Sequence, residues 1–79
     1  PPVGDELALS GSRSRGNRQA DLSWTGGTTA NVDVYINGSL NGPTANDGSV
    51  SFSVNKNSSY TFRLCEEGST VECSNEITL

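Results

Sequence analysis

The chain contains no histidine and no methionine, and it has only two cysteines and five basic residues. Without histidine, neither a Ser-His-Asp nor a Cys-His arrangement can form, and two thiols alone cannot complete a four-ligand zinc site. Five basic against nine acidic residues, with a formal net charge of −4, argue against a nucleic-acid or anionic-membrane partner. The composition therefore disfavours the commonest hydrolase mechanisms and phosphate-binding roles.

Aromatic residues and long apolar runs are also scarce. The chain has one Trp, two Tyr and two Phe, and no run approaches the roughly 20 apolar residues of a membrane helix. With 79 residues, the chain fits one domain near the lower size limit for a self-sufficient core. We predict a single domain over residues 1–79, with residues 1–5 as a flexible N-terminal linker.

What the chain does have is a strict alternation of apolar and polar residues in short segments, separated by turn residues such as Asn37-Gly38 and Asn46-Asp47-Gly48. Asn41-Gly42-Pro43 indicates a further break, and the polar stretch 10–17 indicates a loop or a ragged edge strand. The pattern predicts an all-β fold, a seven-stranded antiparallel β-sandwich with no helix longer than a turn. The predicted core residues are Leu7, Leu9, Leu22, Trp24, Val32, Val34, Ile36, Val50, Phe52, Val54, Tyr60, Phe62, Leu64, Ile77 and Leu79.

The two cysteines are the strongest local signal. Cys65 and Cys73 flank a short connection suited to a hairpin, and two cysteines in so small a domain are typical of one disulfide, provided that the compartment is oxidising. The strand phases disagree, because Cys65 lies on the outward phase while Cys73 shares phase with Ile77. A bulge near Ser74 would reconcile them. A redox or zinc site is the alternative, but the spacing matches neither.

Trp24, Tyr35, Tyr60, Gly68 and Ser74 together resemble the pattern of fibronectin type III domains over nearly the whole chain. The segments DLSWTGG, VDVYING and RLCEEGSTVECSNEITL are similar to domains appended to secreted bacterial hydrolases, subtilisin-like serine peptidases in particular. The resemblance implies an immunoglobulin-like sandwich in which Tyr60 forms a tyrosine corner and Trp24 is structural. It does not extend to integrin binding, because the nearest match to Arg-Gly-Asp lacks its carboxylate.

Candidate binding residues are few. Tyr35 is the one aromatic ring expected at the surface, where a cross-strand contact is the alternative to a binding role. Arg13, Arg15 and Arg18 are predicted to cluster in the first loop. The resemblance to fibronectin type III domains implies that this loop lies at the opposite end from the last hairpin, where Glu66, Glu67 and Glu72 cluster. This charge separation would suit a neighbouring domain or an anionic polymer, although two solvated loops would give the same pattern.

The acidic residues are predicted to be mostly solvated surface groups: Asp21, Asp33, Asp47, Glu66, Glu67, Glu72 and Glu76. The Asn46-Asp47-Gly48 segment could offer oxygen atoms to calcium, but it lacks the acid spacing of a dedicated loop, so a turn is favoured. We therefore predict no catalytic residue, no cofactor and no metal site.

The sequence and the resemblance lead to one functional expectation: a noncatalytic accessory domain of a secreted bacterial hydrolase, acting as a spacer or weak substrate-binding module. The alternatives are a dedicated polysaccharide- or protein-binding module and a cell-surface adhesion repeat. We expect a secreted or extracellular location and a monomeric isolated domain. Its expected partners are neighbouring domains of the parent chain or an insoluble polymer or protein, but not nucleic acid or a membrane.

Overall fold

The computed structural model describes residues 7–79 of the chain, which form strands connected by turns and loops. The predicted flexible linker at residues 1–5 lies outside the described residues. Within residues 7–79, no helix is long and apolar enough to cross a membrane. The strands are β1 (Ala8–Ser14), β2 (Gln19–Thr25), β3 (Asn31–Ile36), β4 (Ser39–Ala45), β5 (Ser49–Ser53), β6 (Thr61–Glu66) and β7 (Ile77–Thr78).

The strands form two antiparallel sheets, one of three strands in the order β1-β2-β5 and one of four in the order β4-β3-β6-β7. Alternation along each strand sends one set of side chains between the sheets. Every residue of the predicted core lies in this layer, either fully buried or packed against the buried cluster. The prediction of an all-β fold built from two antiparallel sheets is therefore confirmed.

The described chain is elongated, with principal extents of 39 × 20 × 19 Å, and its loops gather at two ends. At one end, which we call the Glu66 end, Thr28 in the β2–β3 loop contacts Glu66, and Asn46 in the β4–β5 turn bonds to Ala30. At the other, the Arg13 end, the β1–β2 turn at 15–18 meets the β5–β6 loop at 54–60 through Arg13. The two ends therefore carry different sets of loops.

Two predicted turns are present, and one predicted break is not. Asn37 and Gly38 form the two-residue turn that joins β3 to β4. Their φ angles are 54° and 83°, the positive values that this dipeptide favours in a tight hairpin turn. Gly48 also has a positive φ in its turn. By contrast, β4 continues through Gly42 and Pro43, and the irregularity is absorbed by a register shift opposite Val34 and Tyr35. The expected break at 41–43 was wrong, because an edge strand tolerates proline where no ladder bond is required.

The first strand is longer than the sequence suggested. β1 continues to Ser14 and pairs residue by residue with β2, and the turn is confined to residues 15–18. The stretch 10–17 is therefore mostly edge strand, one of the two forms predicted for it. Arg13 was wrongly placed in the loop, since it belongs to β1 and faces Ala20 across the ladder.

Cys65 and Cys73 form a disulfide with their Cα atoms 3.9 Å apart, as the sequence predicts. Phe62 pairs with Ile77 and Cys65 with Cys73, so β6 advances three residues while the opposite segment advances four. The extra residue is a bulge in the region predicted to contain one, and it reconciles the two strand phases. Cys65 lies on the outward phase, but it is fully buried. The segment 72–74 lies against β6 beside it, joined by the disulfide and by backbone hydrogen bonds.

Candidate functional site

At the Glu66 end, a buried carboxylate ties two loops together. Glu66 is only 6% exposed, and its Oε1 accepts hydrogen bonds from the backbone N–H groups of Thr28 at 2.8 Å and Thr29 at 3.2 Å. The hydroxyl groups of both threonines also reach the carboxylate, at 2.9 and 3.1 Å. The prediction that Glu66 is a solvated surface acid was therefore wrong. Its carboxylate accepts hydrogen bonds from backbone N–H groups of the β2–β3 loop that would otherwise lack an acceptor.

These bonds also set the acidity of Glu66. The N–H of Thr28, followed by the hydroxyl of Thr28 and the two groups of Thr29, holds the pKa of this carboxyl below its ordinary value of 4.5, while burial opposes the shift. A carboxylate that accepts several hydrogen bonds is favoured in its charged form. Glu66 is thus an ionised hydrogen-bond acceptor with a structural role. Acid catalysis would need the opposite shift, a raised pKa that keeps the proton on the carboxyl group.

Asn46 extends the same network to the core tryptophan. Its Oδ1 accepts a bond of 2.7 Å from Trp24 Nε1, and its Nδ2 donates 3.1 Å to the carbonyl of Thr29. A Cβ atom added at Gly27 would lie 2.8 Å from Asn46 Nδ2 and 3.0 Å from Leu7, at a φ of +87°. Glycine is required there because the loop passes too close to its neighbours for a side chain. The β2–β3 loop and the β4–β5 turn are consequently packed and hydrogen-bonded to each other.

Arg13 performs the corresponding role at the Arg13 end. Its guanidinium donates to the carbonyls of Asn17 at 2.8 Å, Asn55 at 3.1 Å and Leu79 at 2.9 Å, and also to that of Ser58. The group lies 5.6 Å from the centre of the Tyr60 ring, a cation–π contact. Five N–H donors in a fixed fork suit this set of carbonyls. Arg13 is therefore engaged within the fold, unlike Arg15 and Arg18, the exposed arginines with which the sequence grouped it.

Arg15 and Arg18 remain on the surface of the β1–β2 turn, and Lys56 is exposed in the β5–β6 loop at the same end. The acidic residues Glu67 and Glu72 are exposed at the opposite end. The described chain therefore has a cationic end and an anionic end. These side chains are exposed to solvent, which distinguishes them from Arg13 and Glu66. Among them, Glu67 also accepts a bond of 3.3 Å from Asn31 Nδ2.

Tyr60 and Trp24 both use their polar atoms inside the fold. The N–H of Asn55 donates 3.0 Å to the Tyr60 hydroxyl, which links the ring to backbone five residues upstream. The rings of Tyr60 and Phe62 stack with their centres 6.2 Å apart. Tyr60 thus contributes both to the core and to the order of the β5–β6 loop.

Tyr35 lies on the outer face of the four-stranded sheet, between Leu40 on β4 and Arg63 on β6. The Arg63 guanidinium stacks 5.0 Å from the centre of the ring, so Tyr35 has the cross-strand contact that was its alternative interpretation. Leu40 is 58% exposed. Within the described chain, the buried Nε of Arg63 has no hydrogen-bond partner. We call Tyr35, Leu40 and Arg63 the Tyr35 row.

The disulfide-closed loop presents a second exposed apolar group. Val71 is 86% exposed, near the tip of the connection between Cys65 and Cys73. Ser69 Oγ accepts bonds from the N–H groups of Val71 and Glu72, and Gly68 N donates 3.0 Å to Asp33. The loop is therefore held in one shape while Val71 projects from it.

Two of the residues that organise the ends had a sequence signal that their charge obscured. Glu66 follows Phe62 and Leu64 at intervals of two, and Arg13 follows Leu9 and Gly11 in the same way. Both therefore stand on the inward phase of a strand, at its last or next-to-last position. Asn46 had no such signal, because it lies in a turn where no period applies.

Within residues 7–79 no group of three His, Cys, Asp or Glu side chains is placed to hold a metal ion. Comparisons of the chain with protein-family models, with curated proteins and with solved structures gave no match.

Proposed function

We propose that this chain is a rigid, noncatalytic spacer domain of fibronectin type III type, belonging to an extracellular multidomain protein. The observation that carries the proposal is where the chain enters and leaves the sandwich. Leu7, which leads into β1, packs beside Gly27 at the Glu66 end, whereas Leu79, which follows β7, bonds to Tyr60 at the Arg13 end. A chain passing through the domain therefore travels along the 39 Å axis, as a strut between two neighbours requires.

Rigidity is supported by the bonds at both ends. Glu66 fastens the β2–β3 loop, and Arg13 fastens the β1–β2 turn to the β5–β6 loop and to Leu79. A strut with loose ends would not fix the distance or orientation of its neighbours. The use of both charged groups inside the fold also supports a noncatalytic role, because neither one is left to act on a substrate.

The fibronectin type III assignment is supported by topology and by Tyr60. In constant-type immunoglobulin domains the fourth strand joins the sheet of the first two strands, whereas β4 here pairs with β3. The Tyr60 hydroxyl also contacts upstream backbone, as a tyrosine corner does. The resemblance to domains of secreted bacterial hydrolases, serine peptidases in particular, supplies the proposed parent. The disulfide is in keeping with an oxidising extracellular compartment.

A second candidate function is a binding module for an insoluble polymer or protein. The Tyr35 row favours it, because an arginine stacked on a tyrosine beside an exposed leucine offers a flat mixed surface. The projecting Val71 favours a protein ligand in the same way. Two small exposed apolar groups at separate places make a weak surface for a flat polysaccharide, which usually stacks on several rings.

Sedimentation of the isolated domain with insoluble cellulose, chitin, collagen and casein, at low and moderate salt, separates the two functions. A spacer stays in the supernatant with every polymer. Retention on one polymer that disappears in Arg63→Ala or Val71→Ser, but persists in the exposed-site control Ser39→Ala, would overturn the spacer role. It would also identify which surface binds.

A further inference from the structure

The four outer edges of the two sheets differ in how they are protected. An unprotected edge strand presents unpaired N–H and C=O groups to other chains. At β1, the side-chain amide of Asn75 bonds to both the N–H and the carbonyl of Leu9, each at 2.9 Å, and so occupies that edge. β4 carries Pro43 and a register shift, and β7 is only two residues long. Each of these three edges is obstructed.

The edge of β5 carries none of these devices. The strand reads SVSFS, with no proline and no charged residue, and among the described residues β2 is its only partner in the sheet. The bonds from Trp24 N to Gly48 O and from Val54 N to Arg18 O show that even-numbered residues face β2. In an antiparallel ladder the backbone groups of the odd-numbered residues then point outward. These residues are Ser49, Ser51 and Ser53.

The inner side of the same strand is incompletely covered. Val50 and Phe52 of β5, and Val54 directly after it, are only half-buried, although they pack against the core. Leu22 on the neighbouring strand, by contrast, is 1% exposed. A further strand beside β5 would remove apolar surface from water while it completed the ladder. Backbone and side chains of β5 therefore favour the same addition.

We infer that β5 pairs with β5 of a second copy of this chain, antiparallel and centred on Ser51, joining the two three-stranded sheets into one. In this register Ser51 faces Ser51 of the other copy, and Ser49 faces Ser53. Ser51 and Ser53 supply the N–H donors, because the N–H of Ser49 already bonds to Asp47.

The charges that flank β5 favour a second copy of this chain as the partner, and they favour the antiparallel direction. Asp47 precedes β5 and Lys56 follows it, and the antiparallel register brings Asp47 of one copy opposite Asn55 of the other, next to Lys56. A parallel arrangement would instead place Asp47 beside Asp47. The interface is one short strand on each side, so the pairing is weak. The expectation of a monomer then applies to dilute solution only.

The test is sedimentation equilibrium of the whole chain as a function of concentration, with Ser51→Pro compared against Ser51→Ala. Both variants lose the hydroxyl that bonds to Asp21, but only proline removes the outward N–H, and it does so without breaking a bond to β2. We expect the dimer of the wild type to have a dissociation constant below about 1 mM. We expect the dissociation constant of Ser51→Pro to exceed that of Ser51→Ala about tenfold or more. Circular dichroism of each variant verifies that it is folded.

A charge exchange tests the register. Asp47→Lys moves the formal net charge from −4 toward zero, whereas Lys56→Asp makes it more negative. General repulsion would make these variants change dimerisation in opposite directions, but the proposed register requires both to weaken it and the double exchange to restore it. The proposal would be overturned if the wild type stays monomeric up to about 1 mM. This holds also if β5 of that monomer binds an extended segment of another protein instead. A dimer equally strong in Ser51→Pro and Ser51→Ala would also overturn it.

Discussion

Replacing Glu66 by glutamine keeps the shape of the side chain and removes its charge. A glutamine can still present its oxygen to the two backbone N–H groups of Thr28 and Thr29, and its amide to the Thr28 hydroxyl. Bonds to a charged acceptor contribute about 1.5–3 kcal/mol each against about 0.5–1.5 kcal/mol for neutral ones. Part of that difference is recovered by relaxation, so we expect Glu66→Gln to lower the free energy of unfolding by about 1–2 kcal/mol.

Alanine at the same position should cost more, because it leaves two backbone N–H groups of a packed loop without an acceptor. We expect a loss of about 2–4 kcal/mol. For a domain of this size each kcal/mol lowers the melting temperature by about 4–8 °C. Thermal unfolding followed by circular dichroism measures both variants, and Glu72→Gln is the matched control because its side chain is exposed.

The pH dependence of the same variant gives an independent check. The folded-state pKa of Glu66 lies below its ordinary value of 4.5. Its charge therefore stabilises the fold in full above that value, and the contribution disappears as the pH falls through the folded pKa. The melting temperatures of the wild type and Glu66→Gln should differ most near neutral pH and converge in acid. If Glu66→Gln melts with Glu72→Gln at every pH, the structural role of this carboxylate is refuted.

Three further variants test the remaining contacts by the same unfolding assay. Arg13→Ala should lose about 2–3 kcal/mol, because several backbone carbonyls lose a charged donor, while Arg15→Ala stays within about 0.5 kcal/mol; equal values for the two would contradict the description of Arg13. Removing the disulfide by Cys65→Ala with Cys73→Ala should cost about 2–3 kcal/mol on the chain-entropy model, and an unchanged denaturant midpoint would contradict it. Tyr60→Phe should lose about 1 kcal/mol for the bond from backbone to its hydroxyl, and an unchanged melting temperature would argue against a corner role.

Much of the fold was accessible from the sequence, because alternation of apolar and polar residues specifies which face of a strand is buried. It located the core residues, and the turn chemistry of Asn37-Gly38 located a hairpin. The break expected at Gly42 and Pro43 was wrong, because an edge strand tolerates these residues and the local pattern does not show which strand lies at an edge.

The two ends were harder to predict, because charge and strand phase pointed in opposite directions. Glu66 and Arg13 were assigned to solvent by their charge, although their phase places them inward. A charged residue at the end of a strand, on its inward phase, lies where the loops leave unpaired backbone groups, and it can satisfy them. Which groups it meets depends on the paths of several loops, and no local pattern contains that information.

We propose that both ends of the sandwich are fastened, so that the domain acts as a rigid strut. The most direct measurement is the set of backbone amide order parameters from ¹⁵N relaxation for the loops 15–18, 26–30, 55–59 and 67–73. We expect values of about 0.8 or higher, close to those of the strands, whereas values below about 0.6 in the loops that Glu66 and Arg13 hold would contradict the account.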